Sequence, residues 1–362
     1  MTLATALDTL RSADRAELDL SDLVHDRSSH ADTSDLSFLA WGLLCGVASP
    51  SRVILPEALA TRRVIARAGL SFAAERRGID LAVGDETISA ATALRPLDGN
   101  QSASLPGFDW KRCDGLLEAD DGSLDDRLTR LRIVTDLEDP ARRPPPPDDD
   151  QRRYRWIDGT GAASALEDVE ARRFNADSDQ VLYEAIDNVH EWAFAQRALA
   201  CCSVTRGGGD KSFNRLHIVV IDDGRGVIQS VDHRRQEDGL GPWREVEQVS
   251  EIARAHEVSS EEGLLRLLVL EALGGRQMIA PTDEGQGLHA IGLLSQQWSG
   301  TFRWLTADGS RCVSVGRDGS SDDLRSESFA ATGLRGTALH ITMDAKARAR
   351  DLVEASSVRR DR

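Results

Sequence analysis

The chain has 362 residues, a formal charge of −16 at pH 7 and five cysteines without a Cys-x-x-Cys pair. The length favours two or three domains, and the cysteines indicate neither a disulfide framework nor a zinc site. Because nucleic-acid grooves rely on clustered Lys and Arg, the acidic balance argues against nucleic acid as a partner.

No segment of the sequence predicts contact with a membrane. The longest apolar run, residues 36–48, is too short to cross a bilayer. The N-terminal residues include acids and arginines but not the apolar core of a signal peptide. We therefore expect a cytoplasmic protein.

Residues 1–138 predict an N-terminal α/β domain whose final part is irregular. Residues 16–20 and 53–55 have the apolar pattern of strands, and residues 37–47 and 57–68 have that of helices. The segment Asp-Leu-Ser-Phe-Leu-Ala-Trp-Gly-Leu-Leu that starts at Asp35, with the strand and helix after it, resembles STAS domains, the antagonist partners of anti-sigma-factor kinases. The alternative is an unrelated α/β cap.

A spacer and a second domain follow. Residues 139–150 include four consecutive prolines and then three aspartates, a composition typical of an extended, solvated linker. Residues 151–345 predict the second domain, and residues 346–362 form an Arg-rich tail.

The strongest helical pattern of the second domain covers residues 181–193, with Asp177 or Ser178 as the expected cap. Glu184, Asn188 and Glu191 share one face at helical spacing. Apolar residues occupy the opposite face. A polar face opposite a buried apolar face predicts a site on the polar side of the helix.

An apolar run over residues 216–221 predicts a buried strand that leads into a turn. The turn contains Asp222, Gly224 and Gly226, and its glycines allow the backbone to approach a ligand closely. The strand therefore delivers one carboxylate into a Gly-rich loop.

Beyond this turn the pattern predicts helices and then strands. Residues 263–273 form a helix that is apolar nearly all round, so it is buried against its own domain or against a partner. Ser259 and Glu262 have capping-box spacing ahead of it. A further helix is expected over residues 287–298, and the predicted strands that follow are residues 301–305, 312–316 and 337–343.

Four motifs in order identify the resemblance of the second half. They are Glu184-x-x-x-Asn188, Asp222-x-Gly224-x-Gly226, Gly285-x-Gly287-Leu288 and Gly336-Thr337. Their order resembles that of the GHKL, or Bergerat-fold, ATPases. The resemblance implies a two-layer α/β sandwich, a mixed sheet with helices on one face, and a nucleotide lid over residues 227–284.

The resemblance also implies a role for each motif. Asn188 would bind Mg²⁺, and Glu184 would be the general base. Asp222 would accept a hydrogen bond from the amino group of adenine, with Thr337 beside it. Backbone N–H groups of a helix N-terminus would meet the phosphates. The remaining ATP-binding positions are the motif residues Gly224, Gly226, Gly285, Gly287, Leu288 and Gly336.

The expected function is an Mg-ATP-dependent ATPase that acts as a conformational switch in bacterial signalling or stress and defence regulation. A serine/threonine kinase of the anti-sigma type, acting on a STAS-like partner, is one alternative, although Trp192 replaces the histidine common in that group. A non-catalytic ATP sensor or protein-interaction module is another, but Glu184 favours an enzyme. We expect a protein partner or a homodimer through the N-terminal domain or helix 263–273.

Overall fold

The computed structural model describes much of both halves of the chain. The described residues are 17–22, 32–45, 48–58, 62, 65, 70, 73–74, 77–88, 163, 166, 168–193, 195, 198–206, 214–274, 286–305, 311–315, 324–328 and 336–345. The predicted linker, the Arg-rich tail and Gly285 lie outside these residues, as does most of the predicted helix 57–68. The domain boundaries therefore stay a prediction.

Among the described residues, the N-terminal half contains a four-stranded sheet and a long helix. Its elements are β1 (Glu17–Asp19), α1 (Asp32–Cys45), β2 (Arg52–Leu55), β3 (Asp80–Val83) and β4 (Glu86–Ile88). Strands β1, β2 and β3 are parallel, and β4 closes the sheet as the antiparallel partner of β3. The prediction of an N-terminal α/β unit is confirmed, whereas the STAS resemblance stays a prediction.

The second half forms a six-stranded sheet. Its strands are β5 (Ala198–Arg206), β6 (Asn214–Asp222), β7 (Phe302–Leu305), β8 (Arg311–Val315), β9 (Leu324–Ser328) and β10 (Ala338–Asp344). They lie in the order β5-β6-β10-β7-β8-β9. The α/β class is confirmed, but every described pairing in this sheet is antiparallel, so the expectation of a mixed sheet was wrong for this half. Short connections favour antiparallel pairing between the consecutive strands β5 and β6, β7 and β8, and β8 and β9.

Helices cover one face of this sheet, which is called the first face below. They are α2 (Asp168–Asn188), which continues into a π-helix (Val189–Ala193), α3 (Val227–Glu237), α4 (Glu247–Ala255), α5 (Ser260–Gly274) and α6 (Gln286–Gln297). The side chains of Leu216, Ile218 and Val220 on β6 join the apolar core beneath them. Because successive side chains of β6 point to opposite faces and all except Asn214 are buried, β6 is a central strand.

Helix α2 begins well before the position predicted from its cap. Asp177 and Ser178 lie inside the helix instead of capping it. Asp177 accepts a hydrogen bond from Trp298 Nε1 at 2.8 Å, and Ser178 Oγ donates to the carbonyl of Phe174 at 2.6 Å. Both polar side chains thus have partners that are compatible with a continuous helix.

The described part of the predicted lid, residues 227–274, consists mainly of helices. A 3₁₀ turn (Trp243–Glu245) joins α3 to α4, and Trp243 and Val249 are fully buried. Leu264 and Leu265 of α5 belong to the same core as the sheet. The apolar helix 263–273 was predicted to be buried either against its own domain or against a partner. In the structure it is buried in the core of its own half. The Ser259 cap is confirmed, since the N–H of Glu262 donates to its Oγ at 3.2 Å.

The opposite face of the large sheet packs against the N-terminal half. Helix α1 is buried over its whole described surface, and it contacts β5 and β6. Val219, Ile221 and Ala338 share a core with the apolar residues of the N-terminal sheet. The two halves therefore form successive layers of one packed body. Within the described residues, no helix has the length and hydropathy needed to span a membrane.

Candidate functional site

A cavity of about 180 Å³ lies between the first face of the large sheet and its covering helices. Helix α2 and its π-helical end contribute Ala185, Asn188, Val189, Trp192 and Ala193. The sheet side contributes Val220, Asp222, Trp304, Thr337 and Leu339. Helices α3, α5 and α6 contribute Val227, Ser230, Val231, Arg234, Leu268 and Leu288. The cavity is therefore mainly apolar, with a few polar groups from distant parts of the chain.

Asp222 lies at the end of β6 and is the buried acid of this cavity. Its side chain is 3% exposed, and Oδ1 accepts a hydrogen bond from the N–H of Gly224 at 2.8 Å. Burial raises the pKa of Asp222 to about 7, and the negative charge of Asp223 adds to the effect. Backbone hydrogen bonds from Gly224 and Thr337 oppose the shift. Asp222 thus changes charge near neutral pH.

The turn after Asp222 packs against the end of helix α2. A Cβ on Gly224 would lie 2.2 Å from the carbonyl oxygen of Ala193, so a side chain at this position has no room. The N–H of Arg225 donates to the same carbonyl at 2.9 Å. Gly226, with φ of +78°, then begins helix α3. The close contact between two cavity walls therefore requires glycine at 224, whereas the positive φ favours glycine at 226.

Gly336 fixes the position of the chain just before β10 at this end of the cavity. It has φ of +97°, and a Cβ there would lie 1.8 Å from the carbonyl oxygen of Asp222. The next residue, Thr337, accepts a hydrogen bond from the N–H of Asp222 at 2.9 Å. Gly336 and Thr337 are thus held against Asp222, as their shared motif implied.

Replacing Gly336 by alanine should destabilise the fold more than an ordinary turn substitution does. We expect a loss of about 3 kcal/mol or more in the free energy of unfolding, because backbone strain and a collision with Asp222 combine. Gly84→Ala is the matched control, since Gly84 also has a positive φ, of +56°, but nothing lies within 4 Å of its added Cβ. It should lose roughly 1–2 kcal/mol. Urea unfolding of both variants measures the difference, and equal losses would contradict the close packing at Gly336.

Glu184, Asn188 and Gly287 meet on the helical side of the cavity. Asn188 Nδ2 donates to the carbonyl of Glu184 at 2.8 Å. Glu184 Oε1 accepts a hydrogen bond from Gln180. A Cβ on Gly287 would lie 2.7 Å from Glu184 Oε2, so the start of α6 rests directly on this carboxylate. Leu288 lines the cavity next to Gly287.

Nine of the ten residues named in the four motifs thus lie in or beside one cavity, and the tenth, Gly285, lies outside the described residues. None of the sequence motifs includes the cavity wall formed by α3. Its cavity residues Val227, Ser230, Val231 and Arg234 have the spacing i, i+3, i+4 and i+7, which is one face of a helix. That spacing was the signal that could have revealed this wall.

The π-helix at the end of α2 also belongs to the site. It carries Trp192 and Ala193 into the cavity wall. Ser230 Oγ donates to the carbonyl of Trp192 at 2.8 Å, which ties the π-helix to α3. Because the helix ends at Ala193, its last carbonyls have no intrahelical partners. Ser230 Oγ binds the carbonyl of Trp192, and the N–H of Arg225 binds that of Ala193.

The described residues contain no group of three or more His, Cys, Asp or Glu side chains that could hold a metal ion. A metal held by protein side chains alone therefore does not fit this part of the chain. Mg²⁺ usually keeps several waters and uses few protein ligands together with substrate phosphates. The Oδ1 atom of Asn188 is a suitable ligand for an ion of that kind, because its Nδ2 is the atom held by Glu184.

Neither a protein-family model nor a curated protein sequence matches the chain. Among solved structures, it is similar to the histidine kinase domain from Erythrobacter litoralis EL346 blue-light activated histidine kinase. The two chains are 12% identical, with a TM-score of 0.24, and the match covers 66% of this chain and 81% of that one. Similarity at this level does not assign a family, so the proposals below rest on the cavity and its residues.

Proposed function

We propose that the cavity binds ATP with Mg²⁺ and that the chain hydrolyses ATP slowly, with the bound nucleotide acting as a conformational switch. The observation that carries this proposal is the convergence of Asp222, Asn188 and Thr337 on one cavity, with Glu184 beside it. These side chains come from three separate elements. Their chemistry matches what a nucleotide base, a phosphate-bound cation and an attacking water require.

Asp222 recognises the base in this proposal. Its carboxylate accepts a hydrogen bond from the exocyclic amino group of adenine, and the hydroxyl of Thr337 is a second polar group at the same end. Val220, Leu339 and Trp304 lie side by side on three neighbouring strands and form an apolar floor. A flat aromatic base can bury its face on such a floor while its edge reaches the carboxylate.

Asn188 holds the metal through Oδ1 in this proposal, and bound Mg²⁺ neutralises charge on the phosphates. The hydrogen bond from Nδ2 to the carbonyl of Glu184 fixes which amide atom faces away from the helix backbone. A fixed amide needs no reorientation when the ion arrives. Asn188 and Glu184 are one helical turn apart, so the metal ligand and the base are supported by the same segment.

Glu184 acts as the general base. Gln180 holds Oε1, and Oε2 lies at the start of α6. Glu184 accepts a proton from the water that attacks the γ-phosphorus, the bond from this phosphorus to its bridging oxygen breaks, and ADP and phosphate leave. The start of α6, with Gly287, is the neighbouring source of backbone N–H groups for the phosphates.

Asn188→Ala tests the metal part of the proposal. We expect ATP affinity to fall when Mg²⁺ is present and to change little when EDTA is present, because the lost contact is with the metal. A loss of about 10-fold would be in the range for one charge-assisted contact. Calorimetric titration with and without Mg²⁺ measures it. The same loss under both conditions would show that Asn188 contacts the nucleotide or the helix instead of the ion.

Incubation of the chain with γ-labelled ATP tests the chemistry. Release of free labelled phosphate supports an ATPase. Transfer of the label to a protein side chain would replace this proposal by the kinase alternative. Binding without either product would leave a nucleotide sensor and contradict the role of Glu184.

A further inference from the structure

Helix α3 supplies a wall of the cavity that none of the sequence motifs includes. Its cavity face ends at Arg234, two turns after Val227. The neighbouring Arg235 points elsewhere, because its side chain is 9% exposed and Nε donates to the carbonyl of Gly241 at 2.6 Å. Of these two adjacent arginines, one thus supports the loop after the helix and the other lines the cavity.

Two contacts hold the guanidinium of Arg234 in place. Its Cζ lies 4.7 Å from the centre of the Trp192 ring, a cation–π contact. Its Nε lies 3.0 Å from Asp238 Oδ2. The side chain is 18% exposed, so it is largely but not fully removed from solvent. Arg234 is therefore oriented before any ligand binds.

The charge of the chain makes a local cation necessary for an anionic ligand. The formal net charge is −16, so the protein as a whole repels a polyphosphate. Among the described cavity residues, Asp222 adds a carboxylate and Arg234 is the one side chain with a positive charge. Trp192, over which the guanidinium of Arg234 lies, follows Asn188 by four residues, and all three residues line the same cavity.

We infer that Arg234 binds the phosphate groups of the nucleotide. This inference rests on the proposed function. A guanidinium carries only donors, in a planar arrangement that matches two oxygens of a phosphate. Asp222 already provides the acceptor for the base, which leaves the anionic part of the ligand for Arg234. Asp238 binds Nε and the guanidinium group lies over the ring of Trp192. The arginine side chain therefore keeps its orientation when a phosphate binds.

Binding of ATP and of adenosine by Arg234→Gln tests the inference. The matched control is Arg244→Gln, because the Cζ of Arg244 also rests on a tryptophan, 4.4 Å from the centre of the Trp243 ring, but Arg244 does not line the cavity. Both ligands are titrated into the full chain with and without Mg²⁺. Thermal melting of each variant checks that it folds, and Arg234→Lys, which keeps the charge, is the second variant.

We expect Arg234→Gln to bind ATP about 10-fold more weakly, with or without Mg²⁺, and to bind adenosine as the parent does. Arg244→Gln should match the parent for both ligands, and Arg234→Lys should recover part of the loss. Unchanged ATP affinity in Arg234→Gln would overturn this inference alone. Equal losses for ATP and adenosine would show that Arg234 only shapes the wall. If the parent chain binds neither ligand, both the proposed function and this inference fail.

Discussion

Glu184→Ala should abolish phosphate release while ATP affinity stays close to that of the parent chain. A group that acts mainly in the transition state contributes little to ground-state binding, so its removal lowers turnover selectively. Removal of a general base typically costs roughly 10²- to 10⁴-fold in rate. Phosphate release at saturating ATP, together with calorimetric titration, measures both quantities on the same preparation.

Glu170→Ala is a suitable control for this experiment. Glu170 lies on the same helix as Glu184 but is not among the residues that line the cavity. Its replacement should leave turnover unchanged. A Glu184→Ala variant that hydrolyses ATP like the parent would contradict the assignment of the base, even with normal nucleotide binding. A variant that loses affinity and turnover in parallel would instead indicate a role in binding.

Asp222→Asn should weaken ATP binding by about 1–3 kcal/mol, the usual cost of an unsatisfied buried polar group. The amide keeps an acceptor for the N–H of Gly224. Its other atom changes from an acceptor to a donor, which then faces the donating amino group of adenine. Titration of ATP into the parent and the variant at pH 8, where the parent carboxylate is ionised, measures the loss. Equal affinity would show that Asp222 does not contact the base.

The same variant should be more stable than the parent at alkaline pH. The pKa of Asp222 is about 7 in the folded state against an ordinary value of 3.8, so the folded state holds this proton more tightly. The contribution of Asp222 to stability is therefore complete below pH 4 and is lost as the pH rises through about 7. At 1.36 kcal/mol per pKa unit, the loss reaches roughly 4 kcal/mol at pH 8.

Asparagine has no charge to desolvate, so the parent and Asp222→Asn should differ most near pH 8. Their difference should shrink as the pH falls through 7 and disappear near pH 4. Urea unfolding of both proteins over this pH range, without nucleotide, measures it. Parallel stability curves would contradict the buried, apolar environment of Asp222. If the gain in stability and the loss of affinity both occur, the carboxylate is retained for binding at a cost to the fold.

The shared core of the two halves predicts the result of cleaving the chain in the expected linker. Ile221 and Ala338, which adjoin Asp222 and Thr337 along the chain, pack against the N-terminal half on the back of the sheet. Cleavage within residues 139–150 would therefore leave two fragments that stay associated, because separating them exposes this apolar surface to water. Size-exclusion chromatography of the cut protein distinguishes an associated pair from two independent domains.

Local sequence patterns were sufficient for several central elements. The run 216–221 predicted β6, and residues 263–273 and 287–298 predicted α5 and α6, because each carries its own apolar periodicity. The edge strands β5 and β9 were not predicted. The polar composition of residues 324–328 explains why β9 was not predicted, because an edge strand needs no continuous apolar run.

The sequence by itself determined the residue types and the order of the polar motifs, together with the α/β class that their flanking elements require. Only the tertiary structure decided which cavity residues meet. The contacts of Gly336 with Asp222 and of Gly287 with Glu184 join positions far apart in the chain, so no local pattern can contain them. The burial that raises the pKa of Asp222 likewise depends on every element packed around it. The place of Arg234 in the cavity wall also depends on tertiary structure. The packing of neighbouring elements decides which face of helix α3 is turned towards the cavity.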